Sequence, residues 1–345
     1  MGSKRDQRGL KLGASIVDVA KLAGVSPRTV SNVVNDFVHV RESTRQKVLA
    51  AIEELGYRPN ISARRLRQGR TRILGFAVPE LSQPYFAELS ELIEIAAQKR
   101  GYTVIATQTG GIRENEVRVL RDLSSHIVDA LVFSPMSMEK DELYVTPPSV
   151  PTVLIGEQIS SSKYTSIAID NERATADITR HLLDRGHTRI ATLGAYHSDL
   201  YRSSRLRLSG YRQALDEAGV AFDPELVLYT DRFGRQAGRD GITQAWTSGM
   251  RFDALVCFTD MLALGAIRAF ADLGVRVPED VAITSIDDVL EAEFSVPSLT
   301  TVAPDKQAIA EQAVESLLAL LDDDTLEPAN IEIGYRLVTR ESSGG

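Results

Sequence analysis

Cysteine is almost absent. Cys257 is the one thiol in 345 residues, so no disulfide framework can hold this chain together. With 43% hydrophobic residues, a chain of this length can instead rest on a large buried core. No run of about 18 apolar residues occurs, so no membrane span and no membrane partner are expected. The basic start Met1–Arg8 has no apolar stretch behind it. No secretory signal is therefore expected, and the setting reads as reducing and cytoplasmic. Catalytic signatures are missing too. There is no G-x-x-x-x-G-K-[ST] phosphate loop, no G-x-G-x-x-G after a strand, no H-E-x-x-H and no G-x-S-x-G. His181 and His187 lack metal-ligand spacing, and Cys257 lies in an apolar run where a buried thiol is the default. No enzyme, no cofactor and no metal site is expected.

What is present is a separation of charge. The net charge of −8 argues against a nucleic-acid partner until its distribution is considered. Residues 1–70 hold 14 basic and 6 acidic side chains, whereas the rest of the chain holds 25 basic and 41 acidic. A basic head on an acidic body is the footprint of a phosphate-binding module joined to something else.

The pattern along the chain divides it further. Residues 1–14 are polar, basic and aperiodic, and a disordered tail is expected. Residues 15–60 read as short helices. Pro59 and Asn60 break the last of them, and residues 61–72 form an arginine-rich linker containing Arg64, Arg65, Arg67, Arg70 and Arg72. From Ile73 onward short apolar runs alternate with amphipathic stretches: 73–78, 85–100, 102–107, 114–125 and 130–133. The alternation returns at 189–193, 206–218, 226–229, 234–246, 254–258, 261–273 and 281–285. Such alternation predicts parallel sheets flanked by helices, arranged as two doubly wound subdomains with ligands at the carboxyl ends of the strands.

The segment 15–35, SIVDVAKLAGVSPRTVSNVVN, has the pattern of a helix-turn-helix. Ile16, Val19 and Ala20 share one helical face, and small Ala20 permits a close, steep crossing. Gly24 falls where the chain must turn. Ser26 can cap the next helix, Pro27 suits its first position, and Val30, Val33 and Val34 form its buried face. Arg28, Thr29, Ser31 and Asn32 remain exposed.

This stretch resembles the headpiece of the LacI/GalR family of transcription regulators. Residues 48–60, VLAAIEELGYRPN, are similar to that family's third helix, and 62–66, SARRL, resembles its hinge helix. The resemblance implies a homodimer on double-stranded, pseudo-palindromic operator DNA, acting as a repressor. It implies that Pro27, Arg28 and Asn32 face base edges, with Ser26 beside them, and that Ser15, Thr29, Ser31 and His39 contact phosphates. Arginine suits guanine and asparagine suits adenine. Ala63 and Leu66 occupy the positions of the hinge residues that wedge a minor groove. Many family members carry arginine where Asn32 stands and a polar residue where Pro27 stands, so the operator sequence stays open.

The resemblance extends over almost the whole chain through 186–190 (GHTRI), 207–211 (RLSGY), 259–265 (TDMLALG), 277–288 (VPEDVAITSIDD) and 299–302 (LTTV). It implies a periplasmic-binding-protein-like core at 73–345, with one subdomain at 73–170 and 303–327 and the other at 171–302 and 328–345. It places a small-molecule effector among Tyr85, Phe86, Arg207, Phe233, Thr259 and Asp287. A carboxylate accepts from vicinal hydroxyls and a guanidinium donates to sugar oxygens, so a carbohydrate is the first expectation. A purine or nucleoside effector, or a protein co-regulator, is the alternative. Thr259 stands where sugar binders often carry asparagine. Tyr196, His197, Asp199 and Arg202 could also line the cleft and are not ranked. The C-terminus lacks a leucine heptad, so a dimer is expected rather than a tetramer.

Overall fold

A computed structural model describes residues 14–34, 37, 39–57, 70–122, 127–138, 143, 147–156, 163–197 and 201–344. The chain divides into two compact units, residues 1–71 and 72–345.

The first unit contains α1 (Ile16–Ala23), α2 (Pro27–Val34) and α3 (Glu42–Leu55). Helix α1 starts at a capping box. The Asp18 N–H donates to Ser15 Oγ at 3.3 Å while the Ser15 N–H donates to Asp18 Oδ2 at 2.9 Å, so two orphan donors are satisfied at once. It stops at Gly24, whose φ of +66° carries the chain out of the helix at little cost for a residue without Cβ. Ser26 Oγ then accepts the Thr29 N–H at 3.1 Å, and Pro27 opens α2. The three helices close over a core of Val19, Ala20, Val30, Val33, Val48 and Ala51, with Ile16, Val34 and Tyr57 packed around it.

The second unit begins with β1 (Ile73–Val78), α4 (Pro84–Gln98), β2 (Thr103–Gln108), α5 (Arg113–Asp122), β3 (Ala130–Phe133), β4 (Thr152–Ile155) and β5 (Thr165–Ile169). It continues through α6 (Asn171–Asp184), β6 (Ile190–Ala195), α7 (Arg202–Glu217), β7 (Val227–Tyr229), α8 (Arg235–Thr247), β8 (Ala254–Cys257), α9 (Asp260–Leu273), β9 (Ala282–Ile286) and α10 (Leu290–Phe294). It ends with β10 (Thr300–Pro304), α11 (Lys306–Asp322), β11 (Asn330–Ile333) and β12 (Tyr335–Val338). One sheet has the order β11-β5-β4-β3-β1-β2 and the other β12-β10-β9-β8-β6-β7. Among the described residues all pairings are parallel except β10 with β12. Central strands such as β3 and β8 are buried along their whole length, as uninterrupted apolar runs between two helical layers should be. In each sheet the winding reverses beside the first strand, β1 or β6, and the carboxyl ends of those strands flank the cleft.

The chain crosses between the subdomains three times. Helix α6 follows β5 and packs on the second sheet, and α11 follows β10 and returns to the first. The third crossing differs from the expectation. Residues 330–333 remain in the first sheet, with Asn330 opposite Ser166 and Ile333 opposite Ile169, and only Tyr335–Val338 join the second. The crossing lies at Gly334, not after residue 327. Strands β11 and β12 are both short and mostly part-exposed, so their periodicity suits the free edge of either sheet. Local pairing decides: Ser166 Oγ donates to Asn330 Oδ1 at 2.7 Å, and the Ala329 N–H donates to Thr165 Oγ1 at 3.2 Å.

Two landmark glycines are explained by helix crossings. A Cβ at Gly210 would lie 1.9 Å from the Glu172 carbonyl oxygen of α6, and one at Gly265 would lie 2.0 Å from the Arg235 carbonyl oxygen of α8. Both neighbours are backbone and cannot yield by rotating.

Candidate nucleic-acid face and effector cleft

In the first unit, α2 presents Pro27 and Arg28 exposed, with Thr29, Ser31 and Asn32 half-buried. Arg28 and Asn32 are four residues apart, so they share one face of the helix. Two of the expected DNA contacts also have structural duties. The Ser15 hydroxyl donates to Asp18 Oδ2 at 2.6 Å, which holds the Asp18 carboxyl below its ordinary range, and Ser26 caps α2. His39 is exposed and packs edge-on against Phe37 with 5.5 Å between ring centres. Ala63 and Leu66 lie outside the described residues.

In the second unit a cavity of about 210 Å³ opens between the subdomains, and Tyr85, Phe86, Arg207, Phe233, Thr259 and Asp287 all line it. These residues follow β1, β7, β8 and β9 or stand on α7, so the two windings converge on one place. Of the four unranked residues, Tyr196 lines the cavity. His197 is turned onto Tyr229, stacked at 4.0 Å, and Asp199 lies outside the described residues. The Arg202 Nε is buried with no hydrogen-bond partner among the described residues, and Arg202 does not line the cavity. Reading the sequence missed several liners: Asn171, Tyr201, Ser203, Asp231 and Arg232, together with Glu80 and Gln83 from the other subdomain. Asn171 carried the only usable signal, since it stands at a crossing.

Arg207 is fixed before any ligand arrives. Its Nε donates to Asn171 Oδ1 at 2.8 Å, and Nη1 donates to the Phe258 carbonyl. Asp287 is held differently. Its φ of +130° is a costly conformation for a residue with a Cβ, and the following Asp288 has φ +46°. The Asp287 N–H donates to the Val302 carbonyl at 2.9 Å, and Asp288 is clamped by Arg340 Nη2 at 2.8 Å, so the turn is braced on both sides. The Asp287 side chain is buried. Burial pushes its carboxyl well above the ordinary range; Arg207 and Lys306 pull it down, while Asp260 and Glu88 push it up.

Behind it Asp260 is fully buried and accepts from Ser285 Oγ at 2.5 Å, Thr301 Oγ1 at 2.6 Å and the Val289 N–H at 2.9 Å. Thr259 caps α9 by accepting the Leu262 N–H at 3.3 Å, so its hydroxyl serves the fold as well as the cleft wall. The two subdomains also touch directly. Glu88 of α4 accepts the Leu290 N–H of α10 at 2.9 Å and pairs with Lys306, which donates to the Asp288 carbonyl at 2.9 Å.

Aromatic rings close the cleft from both subdomains. Tyr85 and Phe86 meet edge to face at 5.3 Å on one. On the other, Tyr196 packs against Tyr201 at 4.0 Å and against Phe233 at 4.8 Å. A fixed cation, a strained carboxyl and ring faces can together accommodate a small molecule with apolar faces and polar edges.

A family profile described as "Bacterial regulatory proteins, lacI family" matches residues 15–60, and one described as "Periplasmic binding protein-like domain" matches residues 179–343. The HTH-type transcriptional regulator RegA of Clostridium saccharobutylicum is 34% identical over 334 residues, covering 96% of this chain and 100% of that protein. The chain belongs to the LacI family of transcription regulators. The HTH-type transcriptional repressor PurR of Vibrio atlanticus (strain LGP32) is 33% identical over 331 residues, covering 95% of this chain and 98% of that one. Among solved structures, a lac repressor dimer bound to operator and the anti-inducer ONPF is 26% identical, with a TM-score of 0.84 over 96% of this chain and 99% of the other. These relatives of the LacI-family chain are regulators, not enzymes. No helix among its described residues is long and apolar enough to cross a membrane.

Proposed function

We propose that this LacI-family regulator represses transcription as a homodimer on a pseudo-palindromic operator and is controlled by a small polyhydroxylated effector, a sugar, bound in the core cleft. One observation carries the effector reading. The Asp287 carboxyl is buried in the cleft wall in a strained backbone, with no hydrogen bond to its side chain among the described residues, across from a prefixed Arg207 and between aromatic walls. A carboxyl that faces the cleft without a protein donor suits a ligand that brings its own donors, and vicinal hydroxyls supply two. A flat heterocycle is the second reading, favoured by the density of ring faces from Tyr85, Phe86 and Phe233.

The dimer reading is supported by apolar surface. Phe294 is 73% and Val296 89% exposed, next to exposed Leu290; in the other subdomain Ile95, Ile105 and Ile112 are exposed. Two-fold symmetry in the protein should be mirrored in the operator half-sites.

The test is operator affinity with and without ligand. Sugars, sugar phosphates, nucleosides and purines are first screened by thermal shift, where a ligand at about 100 times its dissociation constant adds ~2.7 kcal/mol of stability. The best hit should change operator affinity by roughly 5–150-fold, a typical coupling between sites. In Asp287→Ala that change should vanish while affinity without ligand stays near wild type. If Asp287→Ala responds as wild type does, the assignment of the effector to this pocket fails; if no compound in the screen changes operator affinity, a protein co-regulator gains ground.

A further inference from the structure

The first subdomain grips the Asp287 turn of the second through one pair of opposite charges. Glu88 of α4 and Lys306 at the start of α11 form an ion pair whose side chains are 30% and 12% exposed. Each also takes a backbone group from the turn. Glu88 Oε1 accepts the Leu290 N–H at 2.9 Å, and Lys306 Nζ donates to the Asp288 carbonyl at 2.9 Å. Carboxylate meets donor and ammonium meets acceptor, so both bonds are charge-assisted. The pair adjoins the cleft wall. Lys306 Nζ lies 5.9 Å from the centre of the Tyr85 ring, and Tyr85 and Glu88 are three residues apart on one face of α4.

The position of this contact in the fold gives it leverage. Three chain crossings join the subdomains, and Lys306 comes two residues after Pro304, where the second crossing leaves β10. Crossings of this kind let two lobes open and close about a hinge. The turn is braced within its own subdomain, through the Asp287 N–H to the Val302 carbonyl and through Arg340 to Asp288, so it moves with that subdomain. Glu88 and Lys306 hold it to the other one. These bonds join protein groups only and need no ligand to form. Resting on the reading that the cleft controls operator binding, we propose that Glu88 and Lys306 are a clamp that keeps the cleft closed in the free protein and so sets its operator affinity before any effector binds. Releasing Leu290 from the clamp should lower the ratio of closed to open protein roughly tenfold, the scale of one bond to a charged group.

The test deletes one donor. Leu290→Pro removes the N–H that Glu88 holds. Leu290 is the first residue of α10, where proline fits, and Val289 before it has φ −72° and ψ 156°, the extended backbone that proline demands of its predecessor. Leu290→Ala keeps the N–H and loses the same exposed side chain, so it is the control. Spin labels on Glu114→Cys of α5 and Gln236→Cys of α8, both exposed and at corresponding places in the two windings, report the width of the cleft. Cys257 is fully buried and takes no label. Full-length labelled chains diluted with unlabelled ones give distances within one protomer. Wild type and Leu290→Ala should show one short distance. In Leu290→Pro and Glu88→Ala a population several ångströms longer should rise about tenfold relative to the short one. Operator affinity, measured without ligand on the duplex that the wild-type chain selects from random DNA, should differ at least threefold between Leu290→Pro and Leu290→Ala. A Leu290→Pro chain that melts like Leu290→Ala and keeps the short distance overturns the clamp, and so does a wild type that is already mostly open. Should Leu290→Pro unfold, Glu88→Ala decides by the same distance. If the distance lengthens and operator affinity does not move, the clamp stands and the reading that the cleft controls operator binding fails.

Discussion

The two units of this regulator organise their candidate sites in opposite ways. The helical unit draws its candidate DNA face from residues 15–39, a stretch in which each residue is placed by its near neighbours. Ser15 and Asp18 start α1, Gly24 ends it, and Ser26 with Pro27 starts α2. The α/β unit collects its cleft from residues scattered between 79 and 309, brought together by two sheets and three chain crossings. A locally encoded face should tolerate changes elsewhere in the chain, whereas a cleft assembled across a fold should be sensitive to how its helices pack.

The sharpest way to break that contrast is at a helix crossing. Gly265→Ala should destabilise the α/β unit by about 3 kcal/mol or more, because the added methyl meets α8 backbone, and it should weaken effector binding with it. Melting followed by circular dichroism, with ligand titration, checks this. A variant that melts within about 1 kcal/mol of wild type would show that α8 and α9 can separate freely.

The next effect tests the strained carboxyl. Asp287 has its folded value pushed up to about 8, by burial above all, against roughly 3.9 in an unfolded chain. A carboxyl that binds its proton more tightly when folded favours the fold at low pH, and this contribution is lost as pH rises from near 4 to about 8. Asp287→Asn keeps the shape and tolerates positive φ without acquiring charge. It should be more stable than wild type by about 1–3 kcal/mol at pH 8, the usual scale for an unpaired buried polar group, and the gap should close by pH 4. A gap independent of pH would mean that the carboxyl is solvated.

On the helical side the effects should be smaller and specific. Arg28→Ala and Asn32→Ala should each relax base preference at one position per half-site, by about 1–3 kcal/mol, and leave effector affinity unchanged. Binding measured against a library of half-site variants separates this from a uniform loss, which would assign the residue to phosphate. Ser15→Ala should cost about 1 kcal/mol of headpiece stability through the lost cap, visible in thermal melts of the full chain monitored by amide exchange in α1. Protection in α1 equal to wild type would show that the capping box is not needed.

Some features of the fold were legible because they are local. The runs 73–78 and 130–133 coincide with β1 and β3, and the pattern of Ala20, Gly24 and Val30 placed the turn between α1 and α2. Others were ambiguous for a stated reason. Strands β4 and β5 are not assigned from sequence although they are at least as long as β3, because the alternation of apolar run and amphipathic stretch that marks β3 and β8 is not read across residues 134–170. β11 could not be assigned to a sheet from its own residues, since an edge strand is chosen by its neighbour. Tyr201 carries no signature of the cleft in sequence and Asn171 only its place at a crossing; in the fold Tyr201 packs on Tyr196 and Asn171 holds Arg207.

By itself, then, the order of amino acids determined the periodicities, caps and turns of this protein, the basic head on the acidic body, and the presence of Arg207 and Asp287 in family motifs. Those depend on interactions over a few residues or on composition. The tertiary structure decided that Arg207 is committed to Asn171 and Phe258, that the buried Asp287 and Asp260 carboxyls feel one another, that Tyr196 faces the cleft while His197 does not, and that the chain crosses at Gly334. Each of these depends on groups far apart in sequence, and burial and hydrogen-bond partnership exist only once the sheets have stacked.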